Sequence, residues 1–170
     1  MHSVTKQSGF TLIELLLYVS IVGVLLASVS GFYALVIDAR VKTRSVNEVN
    51  QQGAYIMDYL TQSVRSASSI AAPAAGASAS SLSLVVPTAT ASPTGYSLSS
   101  GVLQVSEGAA AAIPLSSSAI QVSNLTFKNL SATGTNGLVQ ISFTIARVNS
   151  SGLNRYDYTK TFTSSAEVSW

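Results

Sequence analysis

The 170-residue chain has no cysteine, one tryptophan, four prolines and a single histidine, His2. Without cysteine, disulfides and thiolate metal sites are excluded. With the only histidine beside the amino terminus, Ser-His-Asp or Cys-His nucleophilic centres and the usual zinc ligand sets have no material to be built from. Charge is scarce too. Asp, Glu, Lys and Arg make up 9% of the residues, and the seven acids form no Asp-x-Asp-x-Asp-Gly calcium loop. The net charge of +2 is too small to argue for nucleic acid by itself. The expectation is therefore a chain with no metal, no cofactor and no enzymatic activity. Lys128 or Lys160 can be drawn beside a serine, but serine is so abundant here that such a pairing says nothing.

The scarce charges are unevenly placed. None falls among the 23 residues between Glu14 and Asp38. About 20 apolar residues suffice to cross a bilayer. A secretory signal peptide fits less well, since its apolar core is about 7–15 residues long and a small-residue cleavage site follows it. A plain membrane anchor fits the length but leaves Glu14 unexplained. A carboxylate within such a segment costs roughly 2.5–3.5 kcal/mol on an insertion scale. An acid that costly needs a positive partner.

The residues before the span are Lys6-Gln7-Ser8-Gly9, followed by Phe10-Thr11-Leu12-Ile13-Glu14. This junction resembles the processing site of type IV prepilins and type II secretion pseudopilins. The resemblance implies that a prepilin peptidase cuts after Gly9 on the cytoplasmic side and methylates the new terminus, Phe10. It also implies that Glu14, fifth in the mature chain, pairs with the terminal amine of a neighbouring subunit. Pairing removes most of the desolvation cost that two opposite charges would each carry alone. One rule opposes this topology. Lys6 and His2 precede the span, whereas Arg40, Lys42 and Arg44 follow it, and cytoplasmic flanks usually hold the basic excess. Cleavage after Gly9 requires the leader inside, and that requirement is given precedence.

Beyond Asp38 the helical pattern continues. Val46, Val49, Gly53, Ile56, Leu60 and Val64 recur at steps of three and four, with Arg44, Glu48, Gln51, Asp58, Gln62 and Arg65 between them. The stripe predicts a core face covered by a sheet from the same chain. Gly23 and Gly31 allow either local loosening of the helix or close helix packing. After Ala71-Ala72-Pro73-Ala74-Ala75-Gly76 the pattern turns to strands: Leu82–Val86, Tyr96–Ser99 linked through Ser100-Gly101 to Val102–Val105, a short edge at Ile113–Leu115, Ile120–Phe127, Val139–Val148 and Arg155–Thr163. A turn is expected at Gly134–Gly137, and the chain ends on Ala166, Val168 and Trp170 at period two. The fold class expected is α+β: a long amino-terminal helix, part transmembrane and part amphipathic, packed on an antiparallel β-sheet head. The expected divisions are a leader at 1–9, a helix at 10–68 with its span at about 15–37, and a Ser/Ala-rich head at 69–170.

The order of the head resembles the J- and W-type minor pilins and pseudopilins, on residues 95–103, Ile113-Pro114-Leu115, Val122–Phe127, Val139–Val148 and Tyr156–Phe162. That resemblance implies a subunit near a filament tip. The implied partners are other pilin or pseudopilin subunits, the prepilin peptidase, an inner-membrane assembly platform, and membrane lipid before assembly. The head would lie outside the cytoplasm, on the inner membrane and then in a filament. The alternative is a membrane-anchored extracellular binding module serving adhesion or DNA uptake. Lys128, Arg147, Arg155 and Lys160 could meet nucleic acid, but solvated strand-edge charges are the preferred reading. Asn124-Leu125-Thr126 and Asn149-Ser150-Ser151 match a glycosylation pattern of low specificity.

Overall fold

The structure is a computed structural model that describes residues 11–132, 137–149, 152 and 156–169. Gly9, Phe10, Arg155, Trp170 and most of the Gly134–Gly137 turn lie outside the described residues. The chain divides into two compact units, one ending at Arg40 and the other running from Val41 to Trp170.

One helix, α1, runs from Leu12 to Ser66 without interruption. It passes through Gly23 and Gly31 intact, so no loosening is seen there. No proline lies within it, and past Asp38 its buried residues keep a helical period. Among the described residues nine strands follow: β1 Ser69–Ala72, β2 Ser78–Ala79, β3 Leu82–Val85, β4 Thr94–Ser99, β5 Val102–Glu107, β6 Ile113–Pro114, β7 Ile120–Asn129, β8 Leu138–Arg147 and β9 Thr159–Glu167. They form two antiparallel sheets rather than one. The first is ordered β1-β3-β4-β5-β6 and the second β2-β7-β8-β9. The α+β expectation holds.

Local chemistry explains several joints. Ser100 and Gly101 have φ of 50° and 79°. Two consecutive positive φ values in a two-residue link are the turn that matches strand twist in a hairpin. In β7 the register with β8 slips between Ser123 and Thr126, where Asn124 has φ of 51°. Side chains alternate in a strand, so this bulge shifts their parity. Ile120 and Val122 are buried before it, and Leu125 and Phe127 after it. A regular strand would have put one pair in solvent.

The second unit has a single apolar core. Val49, Ile56, Leu60 and Val64 of α1 meet Leu82 and Leu84, Tyr96, Leu103 and Val105, and Val139, Ile141, Phe143 and Ile145. The helix stripe begins at Ser45, which is fully buried, and not at Val46, which is half-buried. Ser45 is tolerated because its hydroxyl donates to Val41 O at 3.0 Å and accepts from Arg147. Gly53 is the point of closest approach. A Cβ there would stand 2.1 Å from the Phe162 ring of β9. Phe162 in turn stacks on Phe143, with ring centroids 5.6 Å apart.

The other face of the second sheet is different in kind. Register places Ser123, Thr144 and Thr161 in one rung and Thr126, Ser142 and Thr163 in the next. Their hydroxyls pair across strands, at 2.9 Å between Thr144 and Thr161 and 3.2 Å between Ser142 and Thr163.

Candidate functional site

The site expected from the motif lies at the start of α1. Gly9 and Phe10 are outside the described residues. From Thr11 onward the geometry is explicit. The Thr11 carbonyl accepts the amides of Glu14 and Leu15, at 3.1 and 3.2 Å. That makes Thr11 the cap and places Glu14 in the first turn, at the spacing of a capping box. A carboxylate in a first turn is also favoured by the helix dipole, by about 0.3–1 kcal/mol when exposed. This local gain does not offset the cost of carrying the charge into a bilayer. Among the described residues the Glu14 carboxylate has no hydrogen-bond or ion-pair partner.

The helix behind Glu14 is apolar on every side. Leu12, Leu16, Val22, Leu26, Phe32 and Leu35 are between 50% and 79% exposed, and none of the most apolar stretch is buried within the protein. Mean hydropathy there reaches 2.4, which is long and apolar enough to cross a membrane. Its hydroxyls are internally satisfied. Ser20, Ser28 and Ser30 each donate to the carbonyl four residues back, at 2.8–2.9 Å. In hydrocarbon this matters, because a polar group without a partner costs several kcal/mol. Nothing lies within 4 Å of a Cβ built on Gly23 or Gly31, so both leave room for a close neighbour. The arrangement offers one carboxylate at the head of an apolar rod, which can hold a cation brought by another chain.

The basic residues of the head behave otherwise than expected. Arg147, at the end of β8, donates to Ser45 Oγ at 2.5 Å and pairs with Glu48 at 3.5 Å. Its guanidinium also covers the Tyr156 ring at 5.1 Å. Lys160 of β9 donates to Asn50 at 2.8 Å and lies 5.0 Å from the Phe162 ring. The solvated-edge reading is corrected for Arg147, part-buried on the inner strand β8, and stands for Lys160, exposed on the edge strand β9, yet both tie helix to sheet. The reason is their parity, which places them on the helix-facing side. Lys128 lies on the opposite face, across from Gln140. Of the two glycosylation-type asparagines, Asn124 sits in the β7 bulge, and Asn149 donates to Asp157 at 2.6 Å.

Sequence reasoning missed one feature. A cleft of 440 Å³ opens beside α1 and the β4–β5 hairpin, lined in part by Tyr59, Ser63, Thr94, Tyr96 and Glu107. Its signal in the sequence was Glu107, the only charged residue between Arg65 and Lys128.

Residues 4–30 match the family described as the prokaryotic N-terminal methylation motif. No curated protein and no solved structure matches the chain. The matched segment holds the Gly9-Phe10 junction, Glu14 and the first part of the apolar helix, and an α+β head follows it; in that motif and in this order of elements the chain is similar to type IV pilins and pseudopilins.

Proposed function

We propose that this chain is a minor subunit of a type IV pilus or type II secretion pseudopilus. It is inserted in the inner membrane as a prepilin, cut after Gly9 and methylated on Phe10, and then assembled through α1. The observation that carries this reading is the Glu14 carboxylate, without a partner among the described residues, at the head of an apolar helix within a matched methylation motif. In a filament the terminal amine of an adjacent subunit would neutralise it, and the leader would remain cytoplasmic while the head is displayed outside. Residues 1–9, 10–68 and 69–170 would act as leader, assembly helix and head. A peptidase, an assembly platform and sister subunits are the partners this requires. A binding role for the displayed head, in adhesion or DNA uptake, is the second reading, and the cleft on its surface favours it.

Intact-mass and amino-terminal analysis of protein from the native membrane tests the first part. The expected product begins at N-methylated Phe10, and a product beginning at Met1 or beyond Ala27 would sink the proposal. Glu14→Ala tests the second part. Cleavage and insertion should persist, while incorporation into filaments or recruitment of partner subunits falls sharply. The magnitude follows from leaving a buried charge without its partner, about 3–5 kcal/mol. Glu14→Gln should be intermediate. Unchanged assembly and unchanged recruitment in Glu14→Ala would return the helix to the status of a simple anchor.

A further inference from the structure

We propose that the cleft beside α1 and the β4–β5 hairpin binds an organic cation, an alkylammonium or guanidinium group. The inference does not depend on the filament reading. Four separate stretches of chain build the cleft. On α1, Tyr59, Ser63 and Ser66 stand at helical spacing beside the core stripe of Ile56, Leu60 and Val64. On the sheet, Thr94 is directly opposite Glu107 in the β4–β5 register, and Tyr96 opposite Val105. Opposed residues share a face, so Thr94, Tyr96 and Glu107 all point to the helix side. The third wall is the 86–91 segment, which includes Pro87.

The loops that carry this wall are fastened. The amide of Gly108 donates to Ala91 O at 3.2 Å and Pro93 O at 3.0 Å, and Thr94 Oγ1 donates to Ala91 O at 2.9 Å. Gly108 has φ of 56°, and a Cβ on it would meet Thr90 O at 2.4 Å, so only glycine lets these two loops close together. The site is thus held open by fixed backbone. Its volume of 440 Å³ lies in the range of small-molecule sites, about 300–1,000 Å³.

Charge decides the ligand class. Among the described residues no lysine or arginine lines the cleft, and Glu107 has no ion-pair partner. The tyrosines around it stay neutral. Burial pushes the Tyr96 phenol up to about 12, against a smaller opposite pull from its hydrogen bond with Ser63. Burial also raises Tyr59, and the Glu107 carboxylate adds to that. The single formal charge is therefore negative, which disfavours phosphate or carboxylate ligands. Tyr59 and Tyr96 meet in a T-shaped arrangement with centroids 6.3 Å apart, and Tyr55, outside the lining, stands 6.3 Å from Tyr59. Tyr96 is buried, so the ring open to a ligand is that of half-buried Tyr59, and an aromatic ring beside an unpaired carboxylate is the chemistry that holds ammonium and guanidinium groups. Such a group could be a free small amine or the end of a lysine or arginine side chain.

Full-length protein with ¹³C-labelled tyrosine rings, in detergent micelles at constant ionic strength, allows a direct test. The probes are choline, Nα-acetyllysine methylamide and Nα-acetylarginine methylamide. The neutral control is 3,3-dimethylbutan-1-ol, which has the shape of choline without the charge. At least one cation should shift the Tyr59 and Tyr96 ring signals saturably, and the alcohol should not. Tighter choline binding points to a free amine, and tighter binding of either amide points to a protein side chain. Glu107→Gln, at an exposed position, and Tyr59→Leu should each weaken binding at least fivefold. Equal shifts from the alcohol, no saturable shift from any cation, or undiminished binding in Glu107→Gln would overturn the proposal.

Discussion

Gly53→Ala sets two known quantities against each other. In an open helix, replacing glycine with alanine stabilises by about 0.8–1 kcal/mol. At Gly53 the added methyl would stand 2.1, 2.2 and 2.6 Å from three carbons of the Phe162 ring. The ring would have to retreat by roughly 1.5 Å to reach ordinary contact distance. Retreat is obstructed, because Phe162 stacks on Phe143 from the sheet side and Lys160 lies against it. Overpacking of this kind costs about 1–3 kcal/mol. The net expectation is a loss of about 0–2 kcal/mol where helix propensity alone predicts a gain. Urea denaturation of the Val41–Trp170 unit measures it. The decisive comparison is a second background. With Phe162→Ala the obstacle is gone, and Gly53→Ala should then stabilise by about 1 kcal/mol, which gives a coupling of about 1–3 kcal/mol between the two sites. If Gly53→Ala stabilises equally in both backgrounds, the close approach of α1 to β9 is wrong.

Tyr96 should titrate near pH 12 in an ultraviolet phenolate titration, later than the exposed tyrosines. Its folded pKa exceeds its unfolded value of 10.0, so the stability linked to it is complete below pH 10 and is lost as pH rises towards 12. The loss is about 2–3 kcal/mol by linkage, seen as alkaline unfolding that Tyr96→Phe reduces. Arg147→Ala should lower stability by about 1–2 kcal/mol through the lost bond to Ser45 and pair with Glu48, with Arg147→Lys recovering part of it, and a thermal melt checks both. A fragment starting at Ser69 should aggregate, whereas Val41–Trp170 stays soluble with a cooperative melt, because without α1 the Ile141, Phe143 and Ile145 face is bare.

The amino-terminal half was largely legible because its signals are local. The charge gap from residue 15 to 37 marks the apolar part of α1 without reference to any distant residue. The stripe from Val49 to Val64 followed from helical spacing. Its first member did not, since Ser45 is buried by a partner more than a hundred residues away and hydropathy carries no trace of that. β1 and β2 escaped notice because they are built from Ser, Ala and one Ile in a run that reads as a breaker. β8 was legible from strict alternation, whereas the start of β9 was set four residues too early, at Arg155 instead of Thr159. The division into two sheets depends on which strands meet, and pairing is a non-local property. The cleft was invisible for the same reason. Glu107 stands out as a lone charge, but only the pairing that sets it opposite Thr94 and two residues from Tyr96's partner brings it to the tyrosines.

The hydroxyl rungs of the second sheet have a consequence for how its outer face would meet anything. Ser123, Thr126, Ser142, Thr144, Thr161 and Thr163 neither attract nor repel an ion. The charges on this face, Lys128 and Glu167, stand outside those two rungs, so contacts made through the rungs alone would depend only weakly on ionic strength. Each hydroxyl can donate or accept, which lets a neighbour settle in more than one hydrogen-bonded arrangement. Such a face is suited to contacts that slide and re-form, and ill suited to contacts that must be locked or released by a change in ionic strength.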